Sequence, residues 1–144
     1  MKIKNVLRDK ALNAIFSVTS NTTVYEALQQ MAEKNIGAVL VIDDGQLVGI
    51  FSERDYARKG ILQGRASNQT LIKDVMTSKL ITVTSEQKLE EAMLIMSEKH
   101  IRHLPIVDEG NLIGIISIND VVTSIKEQKV RIESLESYIS GSPY

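Results

Sequence analysis

The heptapeptide Gly49-Ile50-Phe51-Ser52-Glu53-Arg54-Asp55 and its twin Gly114-Ile115-Ile116-Ser117-Ile118-Asn119-Asp120 hold the residue types best suited to chemistry in this chain. Each reads as the end of a strand followed by the opening of a helix. Such a corner offers free backbone N–H groups and the positive end of a helix dipole, which favour an anion such as phosphate. The same Ser-x-x-Asp spacing also spells a capping box, in which Ser52 or Ser117 caps the helix and Asp55 or Asp120 reaches back to the main chain. From these residues both readings stay open. The glycine ahead of each step suits a place where backbone must come close to something, or simply the geometry of a hairpin.

Other chemistry finds little support. The sequence carries no Gly-rich dinucleotide fingerprint, phosphate loop, paired-histidine zinc helix or Gly-x-Ser-x-Gly elbow. His100 and His103 stand three apart with no third ligand in view, a poor metal site. A Ser117, His103, Asp120 triad is undermined by duplication, because the serine and acid recur in the first copy while Ala38 stands in the place of His103. The chain has no cysteine, which removes disulfides, thiolate metal sites and cysteine nucleophiles. An enzyme, a metal and a catalytic cofactor are therefore not expected.

The elements that must position the two corners are themselves repeated. Residues 16–58 lie on residues 81–123 at a constant offset of 65 without a gap, with sixteen of the 43 positions identical. The repeat extends upstream if four extra residues are allowed, since Ile3-Lys4-Asn5-Val6-Leu7 then matches Ile72-Lys73-Asp74-Val75-Met76. Each copy opens with this amphipathic turn and a short extended piece, Ile15–Val18 or Leu80–Val83. Val24, Ala27, Leu28 and Met31, or Leu89, Ala92, Met93 and Met96, follow at helical spacing. Apolar runs at 38–42 and 47–51, and again at 104–107 and 112–116, flank Asp-Asp-Gly and Asp-Glu-Gly and read as hairpins. A second helix is expected from about Arg54 to Gln63, and from about Asn119 into the tail. Each copy is thus strand, helix, strand, strand, helix, with the first spanning 1–66 and the second 67–144. A copy of roughly 60 residues has a marginal core, so the pair is expected to be the folding unit.

With 144 residues, 43% hydrophobic and 24% charged, the chain has the profile of a soluble globular protein. Its formal charge of -1, from 17 basic against 18 acidic residues, gives no electrostatic case for nucleic acid or an anionic membrane. No stretch approaches the roughly 18–20 apolar residues of a membrane span, and the opening residues lack a signal peptide's apolar run. A cytoplasmic location is expected.

The two copies resemble the paired cystathionine β-synthase (CBS) domains that form a Bateman module. The pattern Gly-h-x-Ser/Thr-x-x-Asp, with h apolar, occurs twice in full, and Leu104-Pro105-Ile106-Val107-Asp108 is similar to the family's apolar-Pro-apolar-Val-Asp strand. The resemblance covers about residues 3–125. It implies an α/β (α+β) fold of two β-α-β-β-α repeats packed with pseudo-twofold symmetry, here with an extended C-terminal helix, and two clefts that hold an adenine nucleotide such as AMP, ADP, ATP or NAD, or S-adenosylmethionine. It further implies that Asp55 and Asp120 accept hydrogen bonds from ribose hydroxyls, since a carboxylate has two oxygens for a cis-diol. Ser52 and Ser117 would face phosphate or ribose. Thr22 and Gln87 stand where the family contacts its ligand ahead of the first helix. Ile36-Gly37-Ala38 and Ile101-Arg102-His103 occupy the strand whose edges recognise adenine.

The copies differ, so the clefts are not expected to be equal. The second has Arg102 and His103 to meet phosphates where the first has Gly37 and Ala38. The first has Arg54, Arg58 and Lys59 around its second helix, against Asn119, Thr123 and Ser124. Leu40 replaces the proline present at Pro105. In the tail, Val121, Val122, Ile125, Ile132, Leu135 and Ile139 lie near one face of a helix, which suggests a homodimer contact. The expected function is a regulatory module that senses energy or redox state through an adenine nucleotide and signals to an effector protein. The alternative is a structural dimerisation module whose motifs only cap helices.

Overall fold

Asp44-Gly45 and Glu109-Gly110 each reverse the chain in two residues. All four have positive φ, at 50°, 78°, 50° and 81°, the left-handed pair that a type I′ turn demands and that suits the twist of the flanking strands. The computed structural model describes residues 1–9 and 16–139. In chain order its elements are α1 (Ile3–Asp9), β1 (Ser17–Val18), α2 (Val24–Lys34), β2 (Ala38–Asp43), β3 (Gln46–Ser52), α3 (Glu53–Asp55), α4 (Leu89–Lys99), β4 (His103–Asp108), β5 (Asn111–Ser117) and α5 (Ile118–Ile139).

Residues 16–82 make one compact unit; residues 1–9 with 83–139 make the other. The 1–66 and 67–144 division follows the sequence repeat, whereas the folded units exchange the opening turns. α1, from the first copy, belongs with the body of the second, and the 3₁₀ turn Ile72–Asp74, from the second copy, belongs with the body of the first. Matching backbone bonds fix both turns. Ile3 N–H donates to Gln87 O (2.9 Å), Lys4 N–H to Ser85 O (2.9 Å) and Leu89 N–H to Met1 O (2.9 Å). In the other unit Ile72 donates to Thr22 (2.8 Å), Lys73 to Ser20 (3.0 Å) and Val24 to Thr70 (2.9 Å).

In the unit of residues 16–82, β1 runs parallel to β2 and β2 antiparallel to β3. Thr77 adds one more rung beside β3 by exchanging both backbone bonds with Ile50 at 2.9 Å. α2 lays Val24, Ala27 and Met31 on this sheet, where they join Val18, Val39, Val41, Phe51, Ile72 and Val75 in the core. The corresponding residues of the other unit, Val83, Leu89, Ala92, Met96, Leu104, Ile106, Ile116, Ile3 and Val6, are likewise buried. Its sheet is the antiparallel pair β4 and β5, with Val83 bridged in parallel to Ile106. The extended piece expected at Leu80–Val83 is thus reduced to one bridging residue. Full burial of each such aliphatic or aromatic side chain contributes about 1.5–3 kcal/mol.

The helical stops are duplicated as well. Asn35 and His100 both adopt the left-handed conformation just past α2 and α4, the position at which a helix is commonly ended. Among the described residues no group of three or more His, Cys, Asp or Glu is placed to hold a metal. The second helix expected over 54–63 is not uniform. α3 gives way to a π-helical turn, Tyr56–Gly60, and then to a 3₁₀ turn, Ile61–Gln63. Gly60 leaves the helical basin at φ −96° and ψ −92°. The Ile61 N–H bonds the carbonyls of both Ala57 and Tyr56, so the helix widens where glycine lets the backbone yield.

Candidate functional site

In each unit the hairpin register builds one corner. Ala38 pairs with Ser52 across β2 and β3, and the Glu53 N–H donates to Gly37 O at 3.1 Å. His103 pairs with Ser117 across β4 and β5, and the Ile118 N–H donates to Arg102 O at 2.8 Å. The start of one strand, the end of the next and the first turn of the following helix therefore meet, carrying Gly37, Ala38, Ser52, Arg54 and Asp55 in one copy. In the other they carry Arg102, His103, Ser117, Asn119 and Asp120.

Both capping boxes are formed. The Ser52 N–H donates to Asp55 Oδ2 at 3.0 Å and the Asp55 N–H to Ser52 Oγ at 3.2 Å. The Ser117 N–H donates to Asp120 Oδ2 at 2.8 Å and the Asp120 N–H to Ser117 Oγ at 3.2 Å. One oxygen of each motif acid thus bonds its own main chain. Asp55 is committed further. It is buried, its Oδ2 also takes the Ser52 hydroxyl at 3.1 Å, and its Oδ1 accepts from the Thr77 hydroxyl at 3.1 Å with Lys59 Nζ 3.3 Å away. A carboxylate has about four lone-pair sites, and four donors already surround Asp55. A diol reaching Asp55 would have to displace Thr77 and Lys59 from Oδ1. Lys59, one of the cations around the second helix of the first copy, here stands beside the motif acid and neutralises it.

The motif glycines do serve a close approach, and what approaches is the opening turn. A Cβ on Gly49 would lie 2.6 Å from Met76 Sδ and 3.0 Å from Thr77 O, and one on Gly114 2.9 Å from Leu7 Cδ2. Met76 and Leu7 are counterparts in the repeat, so the same packing is built twice.

The remaining expected residues scatter. β1 beside β2 sets the Thr19–Thr22 turn at the Asp43 end of the strand, where the Ser20 N–H donates to Asp43 Oδ1 at 2.9 Å. Thr22 is therefore at the opposite end of β2 from Ser52 and Asp55, and its hydroxyl takes the Thr19 N–H at 3.1 Å. Gln87 closes the equivalent turn by accepting from the Thr84 N–H at 2.8 Å, and its amide donates to Glu91 at 3.0 Å. Ile36 and Ile101 are half-buried just past the helix stops, each N–H bonded to the carbonyl of Met31 or Met96. Pro105 is buried inside β4 and its carbonyl accepts from the Val83 N–H at 3.0 Å. Arg54, Arg102 and Asn119 are exposed, and His103 is half-buried.

Thr77 is the residue at this site that the sequence did not disclose. The match of Leu7 with Met76 could have pointed to the contacts over the glycines, but nothing local links Thr77 to an acid 22 positions earlier. Two carboxyl groups away from the corners are perturbed. The Ser20 hydroxyl, then its N–H, holds Asp43 below its ordinary 3.8. Hydrogen bonds from Lys2 and Lys4 lower Glu86 from 4.5 to about 2.

Comparison with known proteins gives this duplicated corner a lineage. The CBS domain family model matches residues 5–60 and again residues 72–127. The chain is 41% identical to the CBS domain-containing protein CBSX3, mitochondrial, of Arabidopsis thaliana, over 96% of this chain and 72% of that one. It is 35% identical to the CBS domain-containing protein YhcV of Bacillus subtilis, over 82% and 84%. The crystal structure of the CBS domain pair of protein MJ0100, in complex with 5-methylthioadenosine and S-adenosyl-L-methionine, superposes with a TM-score of 0.77 at 26% identity, covering 89% of this chain and 98% of that one. With its two matched segments and the same strand-to-helix corner in each, the chain belongs to the CBS domain family.

Proposed function

We propose that the chain is a regulatory module that binds an adenine nucleotide of the AMP, ADP, ATP or NAD type, or a related adenosine compound, at its strand-to-helix corners, and that an effector protein reads the occupied state. No catalytic step belongs to this reading, and a reducing compartment such as the cytoplasm suits the cysteine-free sequence. The observation that carries it is the duplicated corner. In both units a strand start and a Ser-capped helix start converge, and an adenosine compound is what the MJ0100 pair holds. The second corner is the better candidate for a phosphate, because Arg102 and His103 stand at it. Arg102 is exposed, and a cation there adds to the field of the helix N-terminus.

A second reading has its own observation. Both motif acids bond their own main chain, which is all that a structural module needs from them. Thermal unfolding of the wild type and of Asp120→Asn, with and without each nucleotide, separates the two. Asparagine keeps a carbonyl oxygen for the Ser117 N–H but loses the charge and the second acceptor. A ligand at a hundredfold excess over its Kd stabilises the folded state by about 2.7 kcal/mol. Loss of charge-assisted bonds to a ribose costs about 1.5–3 kcal/mol, or roughly ten- to a hundredfold in affinity. The sensor reading expects that loss in calorimetric titrations. Equal affinity in the two proteins, or no nucleotide that stabilises the wild type, leaves the structural module.

A further inference from the structure

The far part of α5 is a surface with an unusual pattern. At its start Val121 is fully buried and Ser124 is buried, which ties the helix to its own unit. From Ile125 to Glu136 every residue is exposed. Ile125 is 36%, Ile132 51% and Leu135 60% exposed. A bare helix of about this length is marginal in water without a packing partner.

Of the exposed apolar residues of α5, Ile125, Ile132 and Leu135 fall into one series with Val121, Gln128 and Ile139, at alternating steps of four and three, while Val122 and Val130 stand outside it; this is the 3.5-residue period of a coiled-coil seam. In heptad terms Ile125, Ile132 and Ile139 take position a, and Val121, Gln128 and Leu135 take position d. β-branched residues at a with leucine at d favour two parallel strands.

We infer that residues 125–139 of α5 pair with the same segment of a second copy of this chain as a short, parallel, in-register coiled coil. Charge and polarity select this partner. Arg131 at position g meets Glu136 at position e of the opposing helix, and the pair is formed twice across the seam. In register, Gln128 faces Gln128 of the second copy, so two amides can bond each other inside the seam. An antiparallel pair would instead set that amide against isoleucine, leaving it unsatisfied at a cost. Lys129 and Glu133, 4.0 Å apart along one helix, stay on the flank.

The absence of cysteine from the chain allows a clean test. Under mild oxidation Gln128→Cys should yield a disulfide-linked dimer at least tenfold faster than Glu127→Cys, whose position c faces away from the seam. Adding Leu135→Asp, an exposed substitution that leaves the core untouched, should slow cross-linking at 128 at least tenfold. In sedimentation, Arg131→Glu should weaken wild-type self-association severalfold, and Arg131→Glu/Glu136→Arg should restore it. No excess of cross-linking at 128 over 127, or cross-linking indifferent to Leu135→Asp, overturns the inference. So does a wild-type chain that sediments as a monomer at every concentration.

Discussion

Gly49→Ala should destabilise the protein well beyond Gly114→Ala, although the two glycines hold the same place in the repeat. At Gly49 the new methyl meets Met76 Sδ at 2.6 Å and the Thr77 carbonyl oxygen at 3.0 Å. Met76 can rotate, but Thr77 cannot retreat cheaply, because its N–H and C=O both bond Ile50 at 2.9 Å. Overpacking of this kind costs about 1–3 kcal/mol, and weakening the Thr77 bridge adds about 0.5–1.5 kcal/mol for each bond lost. Alanine's smaller entropy loss in a strand returns about 0.5–1 kcal/mol, so with one bond lost the net is about 0.5–4 kcal/mol. At Gly114 the only close atom among the described residues is Leu7 Cδ2 at 2.9 Å, the end of a flexible side chain, and the net should be within about 1 kcal/mol. Urea unfolding followed by circular dichroism reads the difference, with and without nucleotide, because a packing role is indifferent to ligand. Equal midpoints for the two variants, or a larger loss at Gly114, would refute the account of these glycines as seats for the opening turns.

Thr77→Val keeps the shape but removes the hydroxyl from Asp55 Oδ1; a loss of about 1.5–3 kcal/mol is expected from a bond to a buried charge, and an unchanged thermal midpoint would show Lys59 alone to suffice. Glu86 is held down to about 2 by Lys2 and Lys4, and a depressed acid contributes stability above its unfolded value that is lost as pH falls from about 4.5 toward 2. Glu86→Gln should therefore lower the urea midpoint at pH 6 but not at pH 2, and 1 M salt should shrink the difference because all three side chains are exposed; a gap of the same size at both pH values contradicts this.

The hairpins were legible because their signals are local. A continuous apolar run, an acid and a glycine leave a two-residue turn few alternatives, and residues 38–43 with 46–52 form as the run predicts. The cores were legible through duplication, which marked Val18, Met31 and Phe51 by their counterparts Val83, Met96 and Ile116. What the sequence hid is what depends on distant partners. A Ser-x-x-Asp step reads alike whether its acid waits for a ligand or caps a helix, and only the fold brings Thr77 and Lys59 to Asp55. The glycine's neighbour was hidden for the same reason, since Leu7 and Gly114 are more than a hundred positions apart. The break in the helix at Gly60 left a trace in the glycine itself, but a lone glycine does not announce a π turn.

The exchange of opening turns bears on how such a chain could have arisen. A one-copy ancestor that kept this exchange would have lent its first turn to a sister molecule and borrowed that sister's in return. Joining two such chains end to end would turn a reciprocal loan between strangers into an internal arrangement. Scissors placed in the polar stretch around Ser67 would undo that union, giving halves that each lack a wall of their own core and regain it only by finding one another.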